Sequence, residues 1–204
     1  MLFRSISHDT AVKQAGDSGY KFPNGQYLRI DPQSSYEDED PLALPGDFDI
    51  SFYVKTAYSH DMDGLFMVMM WRDLLWGRLG ILADGGATST IKIVDGYSGT
   101  VLLSGSTQIN DDAWHQIELL RVSGTLTLKI DGTINATTTD TAVLDPGVGT
   151  VVNFMMLGAG GSYDTFIPAT ASGTVGYMDE LIVKKTDPLF RSGKVYHYLA
   201  LGTV

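Results

Sequence analysis

Ala113-Trp114-His115-Gln116-Ile117-Glu118-Leu119, followed by Arg121-Val122-Ser123-Gly124-Thr125-Leu126-Thr127-Leu128-Lys129-Ile130-Asp131-Gly132, is the stretch whose pattern decides the fold. Leu126, Leu128 and Ile130 alternate with Thr125, Thr127 and Lys129. That is the period of a strand with one buried face, because successive side chains on a strand point to opposite sides. Ser123-Gly124 separates this run from residues 114–122 and reads as the turn of a hairpin. Asp131-Gly132 closes the next turn.

The same period recurs outward from this segment. Phe48, Ile50, Phe52 and Val54 alternate with Asp49, Ser51, Tyr53 and Lys55. Residues 65–71 are continuously apolar and 151–157 are apolar but for Asn153, as expected of strands covered on both faces. Further strands are expected at 27–30, 77–83, 90–94, 101–104, 175–184 and 194–201. Their spacing suits a sandwich or barrel, with about a dozen strands in all. No amphipathic helix and no fixed-period repeat is visible. Composition points the same way: 20 Asp stand against four Glu, with 23 Gly, and Asp and Gly favour turns whereas Glu favours helices.

The chain has 204 residues and no cysteine, enough to bury roughly 70% of its unfolded surface without metal or disulfide. It reads as one domain, 1–204. Residues 23–45 hold four of the seven prolines and the acidic run Glu37 to Asp40, a solvated loop inside that domain. Zero cysteines exclude zinc-finger, iron–sulfur, thiol-catalytic and disulfide-scaffold classes. A net charge of −10 argues against nucleic acid and against anionic membrane surfaces as partners. The longest apolar run, 65–71, is far short of the ~20 residues of a membrane helix, so no membrane insertion is expected. Residues 1–17 lack the apolar core of a secretory signal.

The stretch from Ala113 to Gly132 resembles the central hairpin of laminin-G-like domains, within the concanavalin A-like lectin/glucanase superfamily. Phe48-Asp49-Ile50-Ser51-Phe52-Tyr53-Val54 resembles an early strand of that family, and Gly176-Tyr177-Met178-Asp179-Glu180-Leu181-Ile182-Val183 its penultimate strand. The resemblance spans about residues 19–185 and implies an all-β, antiparallel two-sheet jelly-roll sandwich. It further implies that Trp114 is a core or sheet-anchoring residue, and that the domain binds glycans or protein partners, with calcium at one rim in some members.

Site chemistry has to be read from the residues, because a fold hosts many functions. Glycoside cleavage needs two carboxyl groups on one face at a set separation. The Glu-x-Asp-x-x-Glu strand of laminarinase-like relatives is absent, and Asp179 and Glu180, adjacent on a strand, should point to opposite faces, with a structural role at a turn or sheet edge. No catalytic residue is therefore expected. Gly16-Asp17-Ser18-Gly19 lies too early for a serine-protease nucleophile, Gly96-Tyr97-Ser98-Gly99 reads as a hairpin turn, and Gly158-Ala159-Gly160-Gly161 has no phosphate-loop lysine. His60-Asp61-Met62-Asp63-Gly64 spaces oxygen ligands as calcium loops do but lacks a closing Glu. No metal or other cofactor is expected, with a rim calcium the one alternative left open. Asn135-Ala136-Thr137 is a formal sequon that should stay unmodified.

Loop aromatics are the better guide to binding, since sugars stack on Trp and Tyr rings. Tyr58, Trp71, Trp76, Tyr97 and Tyr163 are the carbohydrate-binding candidates. Segments 1–18 and 186–204 extend beyond the resemblance and are candidate assembly contacts, with 194–201 a late strand free to pair with the N-terminus or a neighbour. The expected function is a non-catalytic, lectin-like binding or structural module. Its expected setting is a bacteriophage virion, as capsid decoration or tail protein, at the virion surface or otherwise extracellular without a signal peptide. Its partners would be a cell-surface polysaccharide, other virion proteins and further copies of itself as a homo-oligomer. The alternative is a polysaccharide-cleaving hydrolase or lyase assembled from Glu118, Asp179, Glu180, His115 or Tyr177.

Overall fold

The computed structural model describes the backbone of residues 2–3, 7–9, 19–22, 28–30, 47–57, 64–71, 77–83, 87–95, 100–139, 152–157, 176–186 and 196–197. It describes the side chains of 47–57, 79–83, 87–94, 100–139 and 176–184. All regular structure among these residues is strand: β1 Leu2–Phe3, β2 Ser7–Asp9, β3 Gly19–Phe22, β4 Leu28–Ile30, β5 Asp47–Lys55, β6 Gly64–Trp71, β7 Gly77–Ala83, β8 Ile91–Asp95, β9 Thr100–Ser104, β10 Trp114–Val122, β11 Thr125–Ile130, β12 Thr133–Thr138, β13 Val152–Leu157, β14 Gly176–Thr186 and β15 Tyr196–His197. No described helix is long and apolar enough to cross a membrane.

The strands form two sheets, and every pairing is antiparallel. Sheet A runs β1-β4-β13-β6-β7-β8-β9, and sheet B runs β12-β11-β10-β5-β14-β3-β2 with β15 beside β14. The chain crosses repeatedly between the sheets, and its two meanders, β6–β9 and β10–β12, lie in different ones, as the jelly-roll expectation requires. The late strand departs from expectation. β15 pairs with Lys184 and Lys185 of β14, where the outer edge of that strand lies beyond β3, which pairs only with Gly176 to Met178. Within the N-terminal extension, β1 and β2 each close the edge of one sheet.

Alternation fixes which side chains fill the sandwich. On β5, Phe48, Ile50, Phe52 and Val54 are buried while the residues between them are not. On β10 and β11 the buried apolar set is Ile117, Leu119, Leu126, Leu128 and Ile130. These meet Leu79, Ile81, Ile91, Ile93 and Leu103 from sheet A, and Met178, Leu181 and Val183 of β14, in one core. Each large side chain removed from water contributes about 1.5–3 kcal/mol.

Two turns set the register of the β10–β11–β12 meander. Ser123 and Gly124 have φ of 49° and 79°, and Asp131 and Gly132 have φ of 52° and 75°. Both central residues of each turn are left-handed, the arrangement whose twist matches a two-residue hairpin. Ser123 carries a Cβ in that region, and its N–H is held by the Asp47 carboxylate at 2.8 Å, which ties the hairpin tip to the start of β5.

Asp179 and Glu180 do not alternate as a regular strand would dictate. Opposite β5 the register slips between Asp179 and Ile182, so one extra residue is inserted as a bulge, and Glu180 takes φ +48°. Asp179 caps the bulge by accepting the Glu180 N–H at 2.9 Å. The pair lies within β14 beside β5, past the last described pairing with β3 at Met178, and the bulge supplies a local bend there.

Candidate functional site

Residues 105–113 carry the chain from sheet A to sheet B, and they are pinned along most of their length. Gly105 N–H bonds to Ile91 O at 2.7 Å and Ile109 N–H to Ser89 O at 2.9 Å. Buried Asn110 accepts from the Ser89 N–H at 3.2 Å and donates to Ala87 O at 3.3 Å. From the other side comes Asn135, the extra residue where the β12 register slips against β11. Its Oδ1 accepts the Ser106 and Thr107 N–H groups at 2.9 and 3.0 Å, and its Nδ2 donates to Thr133 O at 3.4 Å. The sequon asparagine is thus a clamp on the crossover. Asn135→Ala leaves two loop N–H groups without their acceptor and is expected to cost about 1 kcal/mol in urea unfolding.

At the end of the crossover the inward-facing His115 lies between two carboxylates. Its Nδ1 is 2.7 Å from Asp131 Oδ2, and its Nε2 is 3.0 Å from Asp111 Oδ1. The same alternation that buries Ile117 and Leu119 turns His115 inward. Asp131 is aimed by the Gln116 N–H, which donates to its Oδ1 at 2.8 Å. Asp111 accepts the Ala113 N–H at 2.9 Å. Burial alone would push the imidazole toward its neutral form, but the hydrogen bonds to Asp131 and Asp111, with their charges, outweigh it and raise its pKa above the ordinary histidine value. The Ala113 N–H, then His115, hold the Asp111 carboxyl below the usual aspartate range. Among the described residues no group of three or more His, Asp or Glu is arranged to hold a metal ion.

Trp114 takes the opposite face. The structure corrects the core half of its expected role: with His115 inward, Trp114 is half-buried on the outside of sheet B. There it stands opposite Lys55, which in turn stands opposite Tyr177. The next row places Gln116 opposite Tyr53. Cross-strand partners share a face, so Tyr53, Trp114 and Tyr177 with Lys55 and Gln116 make one aromatic and polar surface. The sequence held the signal for this group, because the Ile117–Leu119 phase dictates which way Trp114 and His115 turn. Tyr58, Trp76, Tyr97 and Tyr163 lie outside the described residues, as does the calcium-like loop 60–63. Trp71 ends β6, where its backbone pairs with Val152, and its side chain also lies outside them.

Of the groups named for a cleavage site, His115 stands apart from Glu118 and Tyr177. His115 faces inward, whereas Glu118 faces outward 3.5 Å from Lys129 Nζ. Tyr177 is on the outer face, and Asp179, 2% exposed, is committed to the bulge.

The fold has solved counterparts. Over 96% of its length the chain is similar to domains LG4-5 of the mouse laminin alpha1 chain, with 14% identity, a TM-score of 0.53 and 47% of that chain covered. It is similar to Trypanosoma rangeli sialidase at 9% identity and TM-score 0.59, covering 87% of this chain and 27% of that one. It is similar to tailspike protein 2 of an Escherichia coli O157:H7 bacteriophage at 13% identity and TM-score 0.56, covering 90% and 25%. The chain spans between a quarter and about half of these structures, and at such identities the likeness concerns fold alone. No curated protein sequence matches it. The family model described as Laminin G domain matches residues 82–185, half of the chain, running from β7 through both left-handed hairpins and the inward histidine to β14. The chain belongs to the laminin G domain family.

Proposed function

We propose that the protein is a non-catalytic, lectin-like binding and structural module that presents a carbohydrate-binding surface as part of a bacteriophage virion, in the capsid decoration or the tail. The observation that carries the binding role is the division of the reactive groups between two faces. His115 is enclosed between Asp111 and Asp131, while Glu118 and Tyr177 lie on the other side of sheet B. His115 therefore cannot pair as acid or base with Glu118 or Tyr177, which the sheet separates from it. Membership in the laminin G domain family supports binding, and the tailspike likeness supports the virion setting at the level of fold.

Under this reading the module works at the virion surface, with a cell-surface polysaccharide on one side and virion proteins on the other. It assembles as a homo-oligomer through 1–18 and 186–204 and requires no cofactor, with a rim calcium at residues 60–64 the one alternative. Tyr58, Trp71, Trp76, Tyr97 and Tyr163 supply the stacking surfaces. A net charge of −10 keeps nucleic acid out of the partner set. The test combines native mass spectrometry, with and without calcium, a glycan array, and turnover assays on a polysaccharide panel. A defined oligomer that binds glycan without product is the expected result. Sustained product formation would establish instead a hydrolase or lyase on this fold.

A further inference from the structure

We propose that Asp111, His115 and Asp131 form a proton-operated latch. It holds residues 111–113 against sheet B while the imidazole carries two protons and releases them when it carries one. The inference concerns the crossover loop and stands independently of the ligand. Its basis is a proton count. Both ring nitrogens point at carboxylate oxygens, at 2.7 and 3.0 Å. Carboxylates only accept, so both contacts are hydrogen bonds only when both nitrogens bear hydrogen. A neutral imidazole has one N–H and one lone pair, and the lone pair would then face a carboxylate.

The geometry also says which contact is lost. Asp131 makes the shorter bond and is steadied by the Gln116 N–H, so Nδ1 keeps its proton. Nε2 gives its proton to water, and its lone pair repels Asp111. The Asp111 side chain is half-exposed and can turn to solvent. Among the described residues, the titratable and charged groups on the elements about the imidazole include the following. Asp111 and Asp112 come from the crossover, Asp131 comes from the β11–β12 turn, and Lys55 of β5 pairs with Asp112, 3.6 Å from its Nζ. Glu118 of β10 faces away, toward Lys129.

The moving part is short because its neighbours are pinned independently. Residues 105–110 keep their bonds to Ile91, Ser89, Ala87 and Asn135. Beyond them, the backbone bond described from residues 111–113 to the rest of the chain is the Asp112 N–H on Thr56 O, just past β5, at 3.0 Å, with Asp112 itself left-handed at φ +63°. Release therefore also loosens Asp112 from Lys55, next to the outward Trp114–Lys55–Tyr177 row.

The experiment is NMR-detected amide exchange on the full chain at about pH 6 and about pH 9, on either side of the histidine range. Protection factors of the Asp112 and Ala113 amides are compared with those of Ile117 and Leu119 as internal reference. The expected result is about a tenfold loss of relative protection at 112–113 on raising the pH, the worth of one charge-assisted hydrogen bond. Asp111→Asn should abolish the pH effect, because a carboxamide can donate to the Nε2 lone pair as well as accept from Nε2–H. Equal protection of the native loop at both pH values would overturn the latch. So would a native-like pH response in Asp111→Asn, or ring 15N shifts showing a singly protonated imidazole at the lower pH.

Discussion

Gly176→Ala is expected to lower the unfolding free energy by about 3 kcal/mol or more, roughly 6–12 °C in Tm, whereas Gly132→Ala is expected to cost only about 1 kcal/mol. The two glycines share a positive φ, at +112° and +75°, and differ in what surrounds them. A Cβ on Gly132 would have nothing within 4 Å, so its cost is backbone conformation alone. A Cβ on Gly176 would overlap the carbonyl oxygen of Lys55 and press on Thr56. Backbone cannot swing aside as the end of a side chain can, so β5 and β14 must part at Gly176 and Lys55.

The damage would also reach the site. Thr56 O accepts the Asp112 N–H, so displacing residues 55–56 also displaces the anchor of residues 111–113. Thermal or urea unfolding of both variants checks the comparison. Equal costs at the two positions would show that β5 yields to the added methyl group.

How much of this was legible in the sequence follows from the range over which each feature is determined. The inward residues of β5, β10 and β11 are dictated by local period-two alternation, and both left-handed turns by Ser123-Gly124 and Asp131-Gly132, so a linear reading finds them. Gly176 looked like an ordinary strand start, because its requirement comes from the Lys55 carbonyl of a strand more than a hundred residues away. The bulge at Glu180 escaped for a related reason: one inserted residue leaves composition unchanged but shifts the phase of everything before it. Asn135 read as a sequon because the N–H donors to its Oδ1, Ser106 and Thr107, lie on the crossover far back in the sequence. His115 was singled out within the motif, but its two carboxylates come from a loop and a turn that only the folded chain brings together.

Asp131→Ala is expected to cost about 2 kcal/mol near pH 5.5 and about half of that near pH 9. Asp131 accepts from the Gln116 N–H and from a buried imidazole, and it occupies a left-handed turn position that aspartate tolerates better than alanine. The first and last contributions do not depend on pH, whereas the second does, and its sign follows from linkage. The fold raises the His115 pKa, so the stability it adds is complete below the unfolded value of about 6.5 and is lost as pH rises through the folded value. The fold lowers the Asp111 pKa, so its contribution is present above the unfolded value of about 3.9 and is lost as pH falls through the folded one. The cluster therefore stabilises the native state most between roughly pH 4 and 6.5, the window in which Asp131→Ala should hurt most. Asp131→Asn separates the contributions: the carboxamide keeps an acceptor for Gln116 and suits the turn, but it cannot balance an imidazolium. It should cost less than alanine at every pH while losing the same pH-dependent part. Urea unfolding of the three proteins across this range gives the curves. A cost for Asp131→Ala that does not change with pH would mean that His115 stays neutral across the range, with Asp131 accepting from its Nδ1–H and from the Gln116 N–H alike.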